Sequence, residues 1–135
     1  MNAQEIFDKV ATHLIQQGEP AMDSNGDCVY RNDQGLKCAV GCLIPDDKYE
    51  GRFEQLGIGA NLSANKERQS DIEGLWSVLE GEGILRDEHL QLLEDLQEAH
   101  DGWEAGGVHL IIGALNYVAD NHDLDPFVLE MSHAN

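Results

Sequence analysis

The chain has 135 residues, a length that fits one domain built around one hydrophobic core. Its 26 acidic side chains against 8 basic ones give a formal net charge of −18, which disfavours binding to nucleic acid, anionic membranes or acidic substrates. Hydrophobic residues make up 41% of the chain, which argues against wholesale disorder. The charge favours a basic surface as the partner, and the alternatives are that it serves solubility alone or adaptation to high salt.

Apolar side chains recur at helical spacing in most of the chain. Asn2 and Glu5 form a capping-box pattern at the start of the first segment, and Asp125-Pro126 is typical of the start of the last one. The helices predicted from this periodicity span residues 3–17, 66–80, 87–101 and 106–120, with a short one after residue 126. We therefore expect a mainly α, compact single domain of four to five helices, spanning residues 1–135. Asp87 is the predicted cap of the third helix, and the fourth is the most apolar and is expected to lie centrally. Trp103 is expected to be a core anchor, with an aromatic contact at a partner surface as the alternative.

The longest uninterrupted apolar run lies between Gly35 and Pro45. Because no charged side chain occurs from Cys38 to Ile44, this run is expected to be buried. The polar segment before it is rich in turn-forming residues and contains the β-prone stretch 28–31, which predicts a small β-hairpin near residues 28–38. Residues 39–44 fit either a continuing strand or a helical turn.

Three cysteines without a signal peptide indicate reduced thiols in a cytoplasmic protein. Cys28, Cys38 and Cys42 are candidate zinc ligands, although the C-x-x-C spacing is absent and a histidine would have to supply the fourth ligand. Cys38 is also the best candidate for a reactive thiol, with a base brought by the fold from His13, His100 or His109. The alternative is that the three thiols are small buried side chains.

A calcium loop is the other metal pattern in the chain, at Asp23-x-Asn25-x-Asp27. Cys28 stands where that loop needs glycine, and Gln34 stands where it needs a bidentate glutamate, so an ordinary turn is favoured. Hydrolase, phosphate-loop and H-E-x-x-H motifs are absent from the sequence. We therefore expect no enzymatic activity and no cofactor.

The acidic residues are unevenly distributed, since no lysine or arginine follows Arg86 while eleven acids do. Four acids on the third predicted helix span roughly 10 Å, a line density close to that of the phosphates on a DNA strand. This asymmetry predicts a partner-binding surface formed by Glu94, Asp95, Glu98, Asp101 and Glu104, with a second patch at Asp120, Asp123 and Asp125.

Tyr30-Arg31 and the stretch from Gly35 to Asp46 resemble small acidic proteins of tailed bacteriophages and prophages, with a Y-R-x(3)-G-L-K-C-A-V-G type segment. The resemblance is clearest over about residues 5–50 and brings no catalytic residue with it. It implies a location in the cytoplasm of an infected bacterium. By analogy with small acidic phage proteins, it also implies inhibition of host nucleic-acid-binding machinery, of the restriction or CRISPR kind.

The leading hypothesis is a non-enzymatic DNA mimic, monomeric or homodimeric, that binds a basic nucleic-acid groove on a host protein. It predicts neither direct nucleic-acid binding nor membrane association. Two alternatives stay open: a small metal-stabilised or thiol-dependent protein centred on Cys38 and Cys42, and a structural or assembly component of a virion.

Overall fold

The computed structural model describes residues 1–59, 66–103 and 107–133, with side chains through residue 130. The helices of these parts are α1 (Ala3–Gln17), α2 (Gln69–Gly81), α3 (Arg86–Asp101), α4 (Val108–Asn121) and α5 (Phe127–His133). One hydrophobic core receives side chains from all five helices, so the predicted mainly α single domain is confirmed. No helix in the described ranges combines the length and apolar character needed to cross a bilayer.

Helix α1 begins and ends as its sequence predicts. The Asn2 side chain accepts a hydrogen bond from the Glu5 N–H at 2.8 Å, and the Glu5 carboxylate accepts one from the Asn2 N–H at 2.9 Å. Gly18 closes the helix in a left-handed conformation with φ of 80°. The helix packs against α3, α4, α5 and a 3-10 turn at Gly41–Leu43, which makes α1 the central helix.

The segment between α1 and the apolar run forms two tight loops in place of the predicted hairpin. Isolated antiparallel bridges, Met22 with Cys28 and Arg31 with Lys37, close the two loops, and no strand ladder forms in the described residues. Within each loop one side-chain oxygen accepts two backbone N–H groups, that of Asp23 in the first and that of Asn32 in the second. These local hydrogen bonds compete with pairing between strands, which explains why the predicted hairpin does not form at residues 28–38.

The apolar run is buried as predicted, and it ends in the 3-10 turn Gly41–Leu43. Gly41 lies against the backbone of Tyr30, where an added Cβ would stand 2.1 Å from the Tyr30 carbonyl oxygen. The Val40 N–H donates to the Gln97 side chain at 3.1 Å and so ties the run to α3. Further 3-10 turns at Asp46–Lys48, Gly51–Phe53 and Lys66–Arg68 lead into α2.

Helix α3 starts differently from the prediction that Asp87 caps it. The Leu85 N–H donates to the Nδ1 atom of buried His89 at 2.9 Å, so a histidine one turn into the helix satisfies the backbone group. Asp87 lies exposed in the first turn, where a negative charge still interacts favourably with the helix dipole.

Helices α3 and α4 pack against each other and run antiparallel. The His122 Nε2 atom lies 2.7 Å from an Asp95 carboxylate oxygen, while Ala99 on the next turn of α3 lines the same groove as Ala114. The most apolar helix, α4, buries Ile111, Leu115, Val118 and Ala119 but exposes residues on its outer side. It is therefore a flanking helix, whereas its composition predicted a central position.

Candidate partner-binding surface

Five ion pairs of lysine or arginine lie in one stretch of the chain. Between positions 31 and 71 they join four basic side chains to Asp46, Glu50 and Asp71. The last base in the chain, Arg86, lies with its guanidinium 5.3 Å from the centre of the Trp76 ring. The carboxylates of α3 and α4 thus follow this ion-paired stretch in the chain, without a lysine or arginine after Arg86.

Polar residues of the segment from Tyr30 to Asp46 bind other parts of the same segment. Arg31 pairs with Asp46 at 2.8 Å, and Lys37 pairs with the same carboxylate at 3.0 Å. The hydrogen bond from Lys37, its charge and that of Arg31 hold the pKa of Asp46 below its usual range. This network ties the second loop to the 3-10 turn Asp46–Lys48, so these residues support the fold.

Glu54 ties the same segment together from the other side. Its carboxylate accepts the backbone N–H groups of Tyr30 at 2.9 Å and Arg31 at 3.1 Å, and it also accepts the Tyr49 hydroxyl. The Arg31 guanidinium lies 4.8 Å from the centre of the Tyr49 ring. These contacts hold the segment from Tyr30 to Asp46 in place. Its polar residues are therefore poor candidates for a catalytic site.

The acids predicted on α3 do not share one environment. Glu98 is exposed to solvent, and Glu94 is half-buried with its carboxylate close to Gly59. Asp95 is held between helices, since its two oxygens lie 2.7 Å from His122 Nε2 and 3.0 Å from the Gln91 amide. Glu98 is thus an accessible carboxylate in the last turn of α3, whereas Asp95 links α3 to α4.

Asp101 lies at the end of α3 on the side of the first loop. It accepts hydrogen bonds from Gln97 at 2.8 Å and from His100 Nδ1 at 3.0 Å. Burial opposes its ionisation, but these bonds outweigh burial and hold the pKa of the Asp101 carboxyl below its ordinary value. Asp101 is therefore charged at neutral pH, with part of its hydrogen-bonding capacity already used.

The second predicted patch is exposed around the end of α4. Asp120, Asp123 and Asp125 all face solvent, and the Asp125 side chain accepts the Phe127 N–H at 2.9 Å. Asp123 adopts a positive φ of 52°, a conformation that aspartate tolerates better than most residues. Glu104, the remaining predicted site residue, lies outside the described residues.

Tyr117 is a surface residue that the charge pattern did not indicate. Its ring is 70% exposed on α4, and it lines one groove with Asp95 and Glu98 and a second hollow with Asp120. Tyr117 thus borders acidic residues of both predicted patches. The sequence does contain a signal for this exposure. Positions 111, 115 and 118 form the apolar face of the helix, and position 117 lies off that face, so its aromatic ring is expected in solvent.

The cysteines have the properties of packing residues. Cys38 is fully buried and Cys42 is half-buried, while Cys28 is exposed. Burial raises the pKa of Cys38 strongly and that of Cys42 to about 12, and burial together with the nearby Asp101 raises that of Cys28 to about 11. A reactive thiol needs the opposite shift, so these environments do not support a thiol-dependent activity.

Of the three histidines considered as bases for Cys38, His13 and His100 lie within hydrogen-bonding distance of other groups, and His109 is exposed on α4. His13 Nε2 is 3.1 Å from the Lys37 carbonyl oxygen, and His109 is exposed in the first turn of α4. His100 is fully buried and engages both ring nitrogens, since Nε2 accepts the Ala21 N–H at 2.9 Å and Nδ1 faces Asp101.

A metal-binding group in the described residues would use ligand atoms of Cys28, His100 and Asp101, which lie within 4.8 Å of one another. The predicted zinc ligands Cys38 and Cys42 are not grouped with Cys28 there. A neutral imidazole has one free lone pair, and the Ala21 N–H uses the one on Nε2, so Nδ1 carries the proton that points at Asp101. This tautomer does not fit zinc coordination at Nδ1.

Comparisons of the chain with protein-family models, with curated proteins and with solved structures found no match. The likeness to phage proteins therefore stays a prediction from the sequence.

Proposed function

We propose that the protein is a non-enzymatic binding protein whose α3–α4 surface binds a basic nucleic-acid-binding surface on a host protein and excludes the nucleic acid. The proposed setting is the cytoplasm of an infected bacterium, with a restriction or CRISPR complex as the target. The observation that supports it most is the uneven distribution of charge, because no lysine or arginine follows Arg86 in the sequence while exposed carboxylates continue along α3 and α4.

Segregated charge favours association with a cationic groove for a physical reason. Carboxylates that lack nearby cations keep their field in solvent, and that field raises the rate of encounter with a positive surface. Glu98 and Asp120 are exposed and lie in the last turns of α3 and α4. A negative charge there is unfavourable to the helix dipole, so these acids do not contribute to the stability of their helices.

The test is retention of bacterial proteins on the immobilised chain at low salt, followed by elution with duplex DNA. The captured protein is then purified, and competition with its own nucleic acid is measured. The variant Glu98→Lys/Asp120→Lys is expected to lose binding without unfolding, because a cation is favourable at both helix ends. The control Glu19→Lys/Asp33→Lys changes net charge equally at exposed positions outside α3 and α4 and should bind as the wild type does.

Two results would contradict the proposal. One is equal retention of the two charge-reversed proteins. The other is a captured protein that binds this chain and its nucleic acid at the same time.

A further inference from the structure

The groove between α3 and α4 combines an apolar floor with an exposed aromatic wall. Ala99, Ala114 and Val118 line it, and the ring of Tyr117 stands at its edge with 70% of its surface in solvent. Its volume is about 420 Å³, within the usual range of roughly 300–1,000 Å³ for ligand pockets. The small floor residues leave room for a side chain to enter beside the ring.

Negative charges lie on both sides of Tyr117. Glu98 lines the groove on α3, and Asp120 lies one turn further along α4, on the same face of the helix as Tyr117, where it lines the neighbouring hollow. Asp95 already contacts His122 and Gln91, so Glu98 and Asp120 are the more accessible counter-ions. An entering group that matches this surface is cationic and has a flat face or an apolar stem.

We propose that this groove binds an arginine side chain of the partner, with the guanidinium stacked on Tyr117 and facing the carboxylates of Glu98 and Asp120. The inference rests on the proposed function, because it names the group on the basic surface that this site recognises. Arginine fits better than lysine because its planar, weakly hydrated guanidinium stacks on aromatic rings and pairs with carboxylates through a fork of N–H donors. Its aliphatic stem matches the alanine and valine floor.

A second copy of the chain is a poorer occupant. In a two-fold contact through this groove, the rim carboxylates of one protomer would face those of the other, and two chains of formal charge −18 repel each other. The rim likewise repels phosphate groups, so the complementary occupant is a cation.

The test compares oligoarginine and oligolysine peptides of equal length by fluorescence titration at matched ionic strength. The wild type is expected to bind oligoarginine about fivefold more tightly, the scale of a cation–π contact at an exposed site. Tyr117→Ala leaves the net charge unchanged and should abolish the preference. Leu110→Ala removes another exposed apolar side chain of α4, 46% exposed and outside the groove, and should keep it. An equal preference in Tyr117→Ala and the wild type would overturn the inference.

Failure of this inference can be separated from failure of the proposed function. If charge reversal abolishes partner binding while Tyr117→Ala retains the arginine preference, the proposed function stands and the arginine site is refuted. If Tyr117→Ala loses the preference but the captured partner still binds its nucleic acid, the arginine site stands and nucleic-acid exclusion is refuted.

Discussion

The buried histidine of α3 provides the sharpest test of how the first loop is held. His100 accepts the N–H of Ala21, and both residues are fully buried. In a His100→Leu protein the Ala21 N–H loses its acceptor in a place that water does not reach. An unsatisfied buried donor costs about 1–3 kcal/mol, and the lost bond to Asp101 adds less because the carboxylate is partly exposed and can be rehydrated. We expect a loss of about 2–3 kcal/mol in the free energy of unfolding.

The assay is urea unfolding followed by tryptophan fluorescence, since Trp76 and Trp103 are both buried and report on the core. With a slope of about 2 kcal/mol/M, typical for a small domain, the midpoint should fall by about 1 M. His100→Gln is the matched variant, because its side-chain carbonyl can take the position of Nε2 and accept the same N–H. The expected order of stability is wild type, then His100→Gln, then His100→Leu. Equal losses in the two variants, or a leucine protein within about 0.5 kcal/mol of the wild type, would refute the reasoning.

Three further predictions concern the cysteines, the glycine of the apolar run and the dependence of stability on pH. Alkylation of the native protein near pH 7.5, followed by mass spectrometry, should be slow at Cys28, whose pKa is raised to about 11. It should reach buried Cys38 only after unfolding. Fast labelling of Cys38 in the native protein would restore the hypothesis of a reactive thiol. Gly41→Ala should destabilise the protein by about 3 kcal/mol or prevent folding, because the new Cβ meets the Tyr30 carbonyl oxygen and the backbone must move; an unchanged urea midpoint would contradict this. Burial lowers the pKa of His13 below the ordinary value of 6.5, so the folded state binds fewer protons than the unfolded one as the pH falls. The stability that neutral His13 contributes is complete above this ordinary value and is lost as the pH falls through the lower pKa of the folded state. His13→Gln should therefore weaken the dependence of the free energy of unfolding on pH, as measured by urea midpoints at several pH values.

The helices could be predicted because their signals are local. The capping box of Asn2 and Glu5 and the apolar spacing of α1 are contained in one stretch of sequence, and the structure reproduces them. The buried state of Trp103 also follows from its size and apolar character, and its indole N–H reaches the Gly107 carbonyl at 3.2 Å. In these places local propensity and tertiary packing favour the same conformation.

The start of α3 and the two loops could not be predicted because other contacts compete with the local signal. Asp87 has the right chemistry for a cap, but His89 reaches the Leu85 N–H. Asp23 and Asn32 divert backbone N–H groups that a hairpin would have used. A propensity for strand at residues 28–31 was therefore insufficient to specify a ladder.

The candidate surface could be predicted in its charge but not in its arrangement. The absence of lysine and arginine after Arg86 is visible in the sequence, and the exposure of Glu98 and Asp120 follows from helical spacing. The contact of Asp95 with His122 joins residues 27 positions apart, and no local sequence pattern predicts it. Which carboxylates are free to meet a partner is thus decided by packing.

The uneven placement of charge along the chain matters at distances longer than any contact. Ion pairs lie between Arg31 and Asp71 while Glu98 and Asp120 are exposed on α3 and α4, and an uneven charge distribution of this kind adds an electric dipole moment to the net charge. A cationic surface therefore exerts a torque on the approaching protein as well as an attraction. At physiological ionic strength this torque acts within about one Debye length, roughly 8 Å, and under the proposed function we expect it to turn the α3–α4 side forward before the surfaces touch. The fraction of collisions that begin in a productive orientation then depends on where the charges lie, and two variants of equal net charge can differ in association rate.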